Sequence, residues 1–186
     1  MKKGEVYEGI IEKVEFPNKG YVMVDDQKVL VKNGIPGQKV RFMIQKKRSG
    51  RAQGRIMEIR EKSEQETREP VCSNFPACGG CMYQTMSYEN QLVMKEQQIR
   101  ELLEDALVQG GQISADGRAD FNWEGIRRSP EEFGYRNKME FSFGDEYKDG
   151  PLSLGLHKKG STYDILNTED CKLVHKDMTD ILVCVR

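Results

Sequence analysis

Three cysteines stand within ten residues of this sequence, in the order Cys72, Cys78 and Cys81, with a glycine pair between the last two. Glycine lets the backbone turn through conformations that a side chain would block, so Cys78 and Cys81 can direct their sulfur atoms to one point. Pro76 stiffens the span from Cys72, which lowers the entropy lost when a third sulfur joins them. The spacing is therefore typical of a metal-binding loop.

A fourth thiol ligand has to come from one of two further cysteines. Cys171 lies in a polar segment, and a loop cysteine can turn toward a distant cluster. Cys184 lies in an apolar run with helical spacing, where a thiol usually packs as a small hydrophobic side chain. The predicted metal ligands are Cys72, Cys78, Cys81 and Cys171, and Cys184 is predicted to be a buried or half-packed thiol.

Four thiolates can hold either zinc or an iron–sulfur cluster. A structural zinc site usually has two short Cys-x-x-Cys pairs, whereas this chain has one such pair, one cysteine upstream of it and one far downstream. The spacing favours an iron–sulfur cluster and keeps zinc as the alternative. Disulfides or free thiols are a third option, but the odd number of cysteines and the charged, non-apolar start of the sequence favour a reducing, cytoplasmic location.

The charge is distributed unevenly along the chain. Residues 1–60 contain 14 lysine and arginine residues against 7 acidic ones, whereas residues 61–186 contain 15 against 23. Such a concentrated basic stripe attracts phosphate groups, although it can also be an ordinary solvated strand face. The basic stripe comprises Lys39, Arg41, Lys46, Lys47, Arg48, Arg51, Arg55 and Arg60, and all of these except Arg60 are predicted to contact RNA.

Period-two alternation of apolar and polar residues predicts strands in the first sixty residues. The expected strands are 5–16, 21–24, 28–32, 39–47 and 55–61, with turns at 17–20, 25–26, 33–37 and near 49–50. Five short strands without a helix predict a small closed barrel of the OB type, an architecture that often binds oligonucleotides. The polar stretch 61–70 is predicted to be a linker between this domain, residues 1–60, and a second domain, residues 71–186.

The second domain is predicted to be a small α+β unit. Ser87 can cap a helix that ends at Gly110, with an apolar side formed by Tyr88, Leu92, Ile99, Leu102, Leu103, Ala106 and Leu107. An extended segment at 121–126 and an antiparallel hairpin of residues 134–144 with residues 152–157 follow. A third strand at 163–166 leads toward Cys171, and a last helical stripe covers residues 178–185.

The predicted strand at 134–144 carries a second candidate RNA surface. Arg136 and Lys138 share one face, and Tyr135, Phe141 and Phe143 are close in sequence. Guanidinium and ammonium groups beside aromatic rings can clamp phosphate and stack an unpaired base. A hairpin with one polar face is the simpler alternative. The sequence contains neither a nucleotide-binding glycine loop nor a serine-hydrolase motif.

The cysteine motif and two later segments resemble a known family. Cys-x5-Cys-Gly-Gly-Cys, followed by Tyr83-Gln84, by residues 87–92 and by Gly134-Tyr135-Arg136-Asn137-Lys138, is similar to the RNA uracil-5 methyltransferases that carry a TRAM domain and a [4Fe-4S] cluster. The first sixty residues resemble the TRAM domain, and the segment through Cys171 resembles the cluster-bearing central domain. The resemblance implies that the partner is RNA, with ribosomal RNA expected ahead of tRNA. It implies binding to neither DNA nor membranes, and a monomeric protein.

In that family, S-adenosylmethionine, the nucleophilic cysteine and the proton-abstracting carboxylate all belong to a C-terminal Rossmann-like domain, which would follow Arg186. The resemblance therefore implies that this chain is the RNA-recognition and iron–sulfur portion of a methyltransferase, with no catalytic residue and no S-adenosylmethionine site of its own. Four cysteine ligands close a cluster to substrate, so a structural role is expected. A free-standing RNA-binding or iron–sulfur redox module is the alternative function.

Overall fold

The computed structural model describes residues 1–48, 50–114 and 116–186, apart from the side chain of Arg48. Five strands form a closed barrel with the order β1-β2-β3-β5-β4, in which all neighbours are antiparallel except the parallel pair β3 and β5. The predicted five-stranded barrel is confirmed. The strands are β1 (Val6–Glu15), β2 (Lys19–Val24), β3 (Gln27–Lys32), β4 (Lys39–Arg48) and β5 (Arg51–Glu61).

Alternation along the strands builds the core of the barrel, because every second side chain points inward. Asp25 and Asp26 both have left-handed backbone angles, with φ of 46° and 58°, which is the geometry of a two-residue hairpin turn. The tight turn predicted there is confirmed. The buried cluster consists of Ile11, Val14, Val22, Val29, Val31, Val40, Phe42, Ile44 and Ala52.

Strand β5 begins earlier than the sequence pattern indicates. The pattern predicts a start at Arg55, but the strand begins at Arg51. Ala52 and Gln53 pair with β3 on one side and with β4 on the other, so this stretch is held by two neighbours. Tertiary pairing has overridden a weak local β signal.

The chain folds into two compact units, and each is discontinuous in sequence. Unit 1 contains residues 1–67 and 86–127, and unit 2 contains residues 68–85 and 128–186. The predicted linker 61–70 is therefore divided between them. Its first part is held against the barrel, because the Ser63 hydroxyl donates to the Pro36 carbonyl at 2.5 Å.

Helix α1 (Tyr88–Gln109) belongs to unit 1, together with the barrel. The predicted caps are confirmed: Ser87 Oγ accepts a hydrogen bond from the Asn90 amide at 3.1 Å, and Gly110 ends the helix.

The face that α1 buries differs from the predicted apolar side. The buried residues are Met94 and Gln98, whereas Leu102 and Leu103 are 46% and 42% exposed. Gln98 Nε2 donates to the Val14 carbonyl at 2.8 Å, which satisfies both groups in a buried position. Polar contacts with the barrel, rather than the leucines, thus set the rotation of the helix.

Unit 2 is built on a three-stranded antiparallel sheet in the order β6-β7-β8. The strands are β6 (Ser142–Asp145), β7 (Leu152–His157) and β8 (Ile165–Asn167), and helix α2 (Lys176–Val185) follows. The predicted pairing of residues 152–157 with the preceding strand is confirmed. The third strand begins at Ile165, two residues later than predicted.

The predicted strand over 134–144 forms only in its last part, from Ser142 onward. The prediction is wrong for the first part of this range, because its backbone N–H groups hydrogen-bond to the stretch after Cys171 and not to a neighbouring strand. Gly134 N donates to the Lys172 carbonyl at 2.9 Å, and Arg136 N donates to the Leu173 carbonyl at 2.9 Å. The 134–136 segment is therefore fastened to the stretch that follows Cys171. The extended segment predicted at 121–126 is likewise irregular.

These observations confirm the predicted fold class, which is mainly β with a closed barrel, followed along the chain by an α+β part. Within the described residues, neither helix has the length and apolar character that a membrane span requires.

Candidate functional site

Four cysteines line one cavity in unit 2. Three come from the loop at 72–81 and the fourth, Cys171, comes from the turn between β8 and α2. Cys78 and Cys171 are buried, with 8% and 7% of their surface exposed, and all are free thiols. Apolar side chains of Phe75, Leu156 and Leu173 complete much of the lining. The structure therefore brings together the four residues that the sequence proposes as metal ligands.

The turn after β7 holds the cysteine loop in place. Lys159 N donates to the Ala77 carbonyl at 2.7 Å, and Gly79 N donates to the His157 carbonyl at 3.0 Å. Cys78, between them, forms an isolated antiparallel bridge with Lys158. The loop is thus paired like a short extra strand against the end of β7.

Gly79 is needed for a different reason from the one the sequence suggested. Neither Gly79 nor Gly80 has a positive φ, so neither uses a conformation reserved for glycine. A Cβ on Gly79 would lie 3.3 Å from the His157 carbonyl oxygen, which is tighter than an ordinary contact. The close approach of two backbone segments therefore explains this glycine.

Several donor groups point at the sulfur atoms. Gly80 N donates to Cys78 Sγ at 3.3 Å, and the buried Gln84 side chain hydrogen-bonds Cys81. The Gln84 side-chain oxygen Oε1 also accepts from Cys72 N at 3.2 Å, so one side-chain amide links two cysteines. Such hydrogen bonds are the environment in which metal-bound thiolates are usually found.

Cys171 has a matching backbone arrangement. Burial raises the pKa of its thiol, and the backbone N–H groups of Leu173 and Val174 partly offset that rise. The Val174 N–H donates to the Cys171 carbonyl at 3.4 Å, which closes the turn. These donors belong to the same turn that binds residues 134–136, so that turn both positions the thiol and anchors the upstream segment.

Burial raises the pKa of the Cys78, Cys81 and Cys171 thiols, and neighbouring sulfurs raise it further. The hydrogen bonds to the sulfurs act in the opposite direction. Thiolates in this cavity would therefore need a positive partner, which a metal or an iron–sulfur cluster supplies. In donor type, the cavity fits such a group, although no three His, Cys, Asp or Glu side chains within the described residues are arranged to hold a single metal ion.

Cys184 lies apart from this cavity. The sequence predicts a buried or half-packed thiol, but Cys184 is exposed on α2. The helix buries Thr179 and Leu182, and a residue two positions after Leu182 lies on the opposite side of a helix. The prediction for Cys184 is therefore wrong.

The structure divides the basic stripe into two parts. Lys39 pairs with Glu61 at 2.7 Å. Arg41 and Arg60 both face Glu58, at 4.0 and 2.8 Å. In the part of the chain that the structure describes, the remaining members have no ion pair, and the side chain of Arg48 lies outside that part. The exposed, unpaired members are Lys46, Lys47, Arg51 and Arg55.

Two lysines that sequence reasoning missed join these unpaired residues. Gly4 N donates to the Ile44 carbonyl at 2.8 Å, which places the exposed Lys2 and Lys3 beside the end of β4. The position of Lys2 and Lys3 beside β4 follows from the strand register, but only once β1 and β4 are known to be neighbours in the barrel. We call Lys2, Lys3, Lys46, Lys47 and Arg51 the basic end of the barrel.

The structure separates the other two predicted RNA contacts. Lys138 is exposed and pairs with Glu140 at 3.2 Å. Arg136 is also exposed, but its guanidinium donates to Met139 Sδ at 3.9 Å, and its charge slightly offsets the rise that burial causes in the pKa of Cys81. These two side chains therefore have different surroundings.

No protein-family model matches the chain. It is 41% identical over 182 residues to an uncharacterized RNA methyltransferase of Caldanaerobacter subterraneus subsp. tengcongensis, and 42% identical over 182 residues to one of Clostridium tetani. Its relatives are named RNA methyltransferases. Each alignment covers 98% of this chain but 38% of the relative, so the chain spans under two fifths of the length of the curated relatives it matches.

A solved structure has the same fold over most of the chain. The tRNA (uracil-54, C5)-methyltransferase of Pyrococcus abyssi, in complex with S-adenosyl-L-homocysteine, superposes with a TM-score of 0.58 at 18% identity. The match covers 96% of this chain and 35% of that one. At 18% identity, this similarity shows a shared fold and nothing more.

Proposed function

We propose that this chain is the RNA-recognition and iron–sulfur portion of an S-adenosylmethionine-dependent RNA uracil-C5 methyltransferase. The observation that carries the proposal is the cavity lined by four cysteines, in which Gly80 donates to Cys78 and the Gln84 side chain hydrogen-bonds Cys81. The names of the aligned relatives support the methyltransferase assignment.

In this proposal Cys72, Cys78, Cys81 and Cys171 hold a [4Fe-4S] cluster, with zinc as the alternative. When bound, the cluster would supply a fixed link between the 72–81 loop and the turn after β8. The protein itself fastens those two segments to the end of β7 and to residues 134–136 through backbone hydrogen bonds. The site is therefore structural, and it shapes the surface that carries Arg136.

We propose that the barrel is a TRAM domain of the OB type and binds RNA through its basic end. Lysine and arginine side chains without acidic partners are the ones available to phosphate, because a paired side chain must first lose its carboxylate. The proposed RNA is ribosomal, and tRNA is the second candidate. Binding of a ribosomal RNA stem-loop compared with an intact tRNA, at equal salt, distinguishes these substrates.

Replacing Lys46, Lys47 and Arg51 together with glutamine is expected to weaken RNA binding and to flatten its dependence on salt. Three lost phosphate contacts should reduce the slope of log affinity against log salt by about 2 for single-stranded RNA. Fluorescence anisotropy with a labelled oligonucleotide between low and physiological salt measures this slope.

The matched control replaces Lys39, Arg41 and Arg60 with glutamine, which removes the same charge from the paired part of the stripe. Relative to wild type, the slope of this control should change by at most about half as much as the slope of the basic-end variant. The reason is that the three control side chains already face carboxylates. An equal or larger change in the control variant would place the RNA on the strand face instead.

Residues 1–186 alone are expected to transfer no methyl group from S-adenosylmethionine to RNA. The reaction needs a thiolate and a base within reach of one uracil ring. Four cysteines belong to the proposed cluster, and Cys184 is solvent-exposed on α2. Incorporation of radiolabelled methyl groups measures the activity. Transfer that disappears in Cys184→Ala would contradict both the domain assignment and the reading of that cysteine.

A further inference from the structure

Lys159 occupies an unusual place beside the cysteine cavity. It follows β7, and its backbone N–H bonds the Ala77 carbonyl within the cysteine loop. The side chain is half-buried, and its Nζ lies 5.7 Å from the centre of the Phe75 ring, which lines the cavity. Backbone pairing thus fixes a lysine against the wall of the site.

The ionisable groups that act on this ammonium group are the Cys78 and Cys81 thiols. Burial lowers the pKa of Lys159, while Cys78 and Cys81 raise it. Within the described residues, no carboxylate lies within ion-pairing distance of Lys159. Lys158, one residue earlier, bridges Cys78 through its backbone and is likewise half-buried.

A half-buried ammonium without an anion is unfavourable, because burial removes the hydration of its charge. An iron–sulfur cluster with four thiolate ligands carries net negative charge, which would compensate for that loss. Net charge and nearby hydrogen bonds are among the factors that set the reduction potential of such a cluster. A fixed positive charge nearby favours the form that has gained an electron.

We propose that Lys159 is the counter-charge of the cysteine-bound cluster and raises its reduction potential. The inference rests on the proposed cluster. In the reduction, one electron passes from an added reductant such as dithionite to the cluster, no bond is formed or broken, and Lys159 keeps its proton. Lys159 acts only through its charge on the proposed cluster, because it contacts the cysteine loop and not a substrate.

The test compares three variants of the cluster-loaded chain. Lys159→Met keeps an unbranched side chain of similar length over Phe75 but removes the charge. Lys159→Arg keeps the charge, and Lys158→Met removes a charge from the neighbouring position. The reduction midpoint is measured by anaerobic redox titration, followed by the paramagnetic signal of the reduced cluster.

Lys159→Met should lower the equilibrium constant for one-electron reduction about tenfold, which corresponds to about 59 mV toward more negative potential. Lys159→Arg and Lys158→Met should stay near the wild-type value. A Lys159→Met potential equal to wild type, or an equal shift in Lys158→Met, would overturn the role of Lys159 while leaving the cluster in place.

Iron and sulfide content separates the remaining outcomes. A folded Lys159→Met chain that loses the cluster while Lys159→Arg retains it would support the counter-charge. Loss from both variants would show that packing, not charge, is required, and would overturn it. Wild-type chain that binds no iron and sulfide would refute the cluster proposal itself, and this inference with it.

Discussion

Cys171→Ser is expected to abolish cluster binding by the chain. Anaerobically reconstituted wild-type protein should contain about four irons per chain. A serine hydroxyl is a poor substitute for a thiolate, and Cys171 is buried, so its replacement leaves one corner of the proposed cluster without a ligand. Iron, acid-labile sulfide and visible absorbance measure the loss.

Cys184→Ser is the matched control for this change. It removes an exposed thiol on α2 and should leave the iron and sulfide content at the wild-type level. Stoichiometric zinc without iron in protein prepared anaerobically would refute the cluster and favour the alternative metal. Retention of four irons in Cys171→Ser would instead refute this residue as a ligand.

Gly155→Ala is expected to destabilise unit 2 by about 3 kcal/mol or more, at the upper end of overpacking effects. A Cβ at this position would lie 2.0 Å from the Leu166 carbonyl oxygen and 2.8 Å from Thr168 N, and both are backbone atoms that cannot turn aside. Strand β8 would have to move away from β7, and Cys171 would move with it. Urea unfolding followed by circular dichroism gives the stability, and iron content gives the effect on the site.

Gly160→Asn provides the comparison for Gly155→Ala. Gly160 has a φ of 80°, and a Cβ there would meet no atom within 4 Å. Asparagine tolerates left-handed backbone angles, so the cost should be about 1 kcal/mol or less, with the cluster retained. Equal stability of Gly155→Ala and wild type would show that the β7–β8 contact adjusts without penalty.

The sequence predicts the barrel well because its strands depend on local alternation and on turn residues such as Asp25 and Asp26. It also indicates which cysteines belong together, because three of them are close in sequence and the fourth lies in a polar loop. These features depend on residue type and spacing, both of which can be read from one chain.

Other features depend on partners that are distant in sequence. The rotation of α1 is set by Gln98 reaching the Val14 carbonyl, 84 residues away, so helical periodicity alone places the wrong face inward. The basic stripe looks uniform in sequence, but barrel pairing sets Glu58 and Glu61 against three of its eight residues. The segment at 134–136 reads as a strand, yet its donors bond residues 172 and 173.

Because each unit is made of two separate stretches of sequence, parts of one unit are synthesised before the other is complete. The 68–85 segment is inserted between two parts of unit 1, and it emerges from the ribosome before most of unit 2 exists. Cys171 follows Cys81 by 90 residues, which takes about 5 to 18 s at typical elongation rates of roughly 5–20 residues per second. For that interval the nascent loop presents three thiols without their fourth partner. Delivery of the proposed cluster is therefore expected only after Cys171 has been synthesised, and the three-thiol loop is the stage most vulnerable to oxidants.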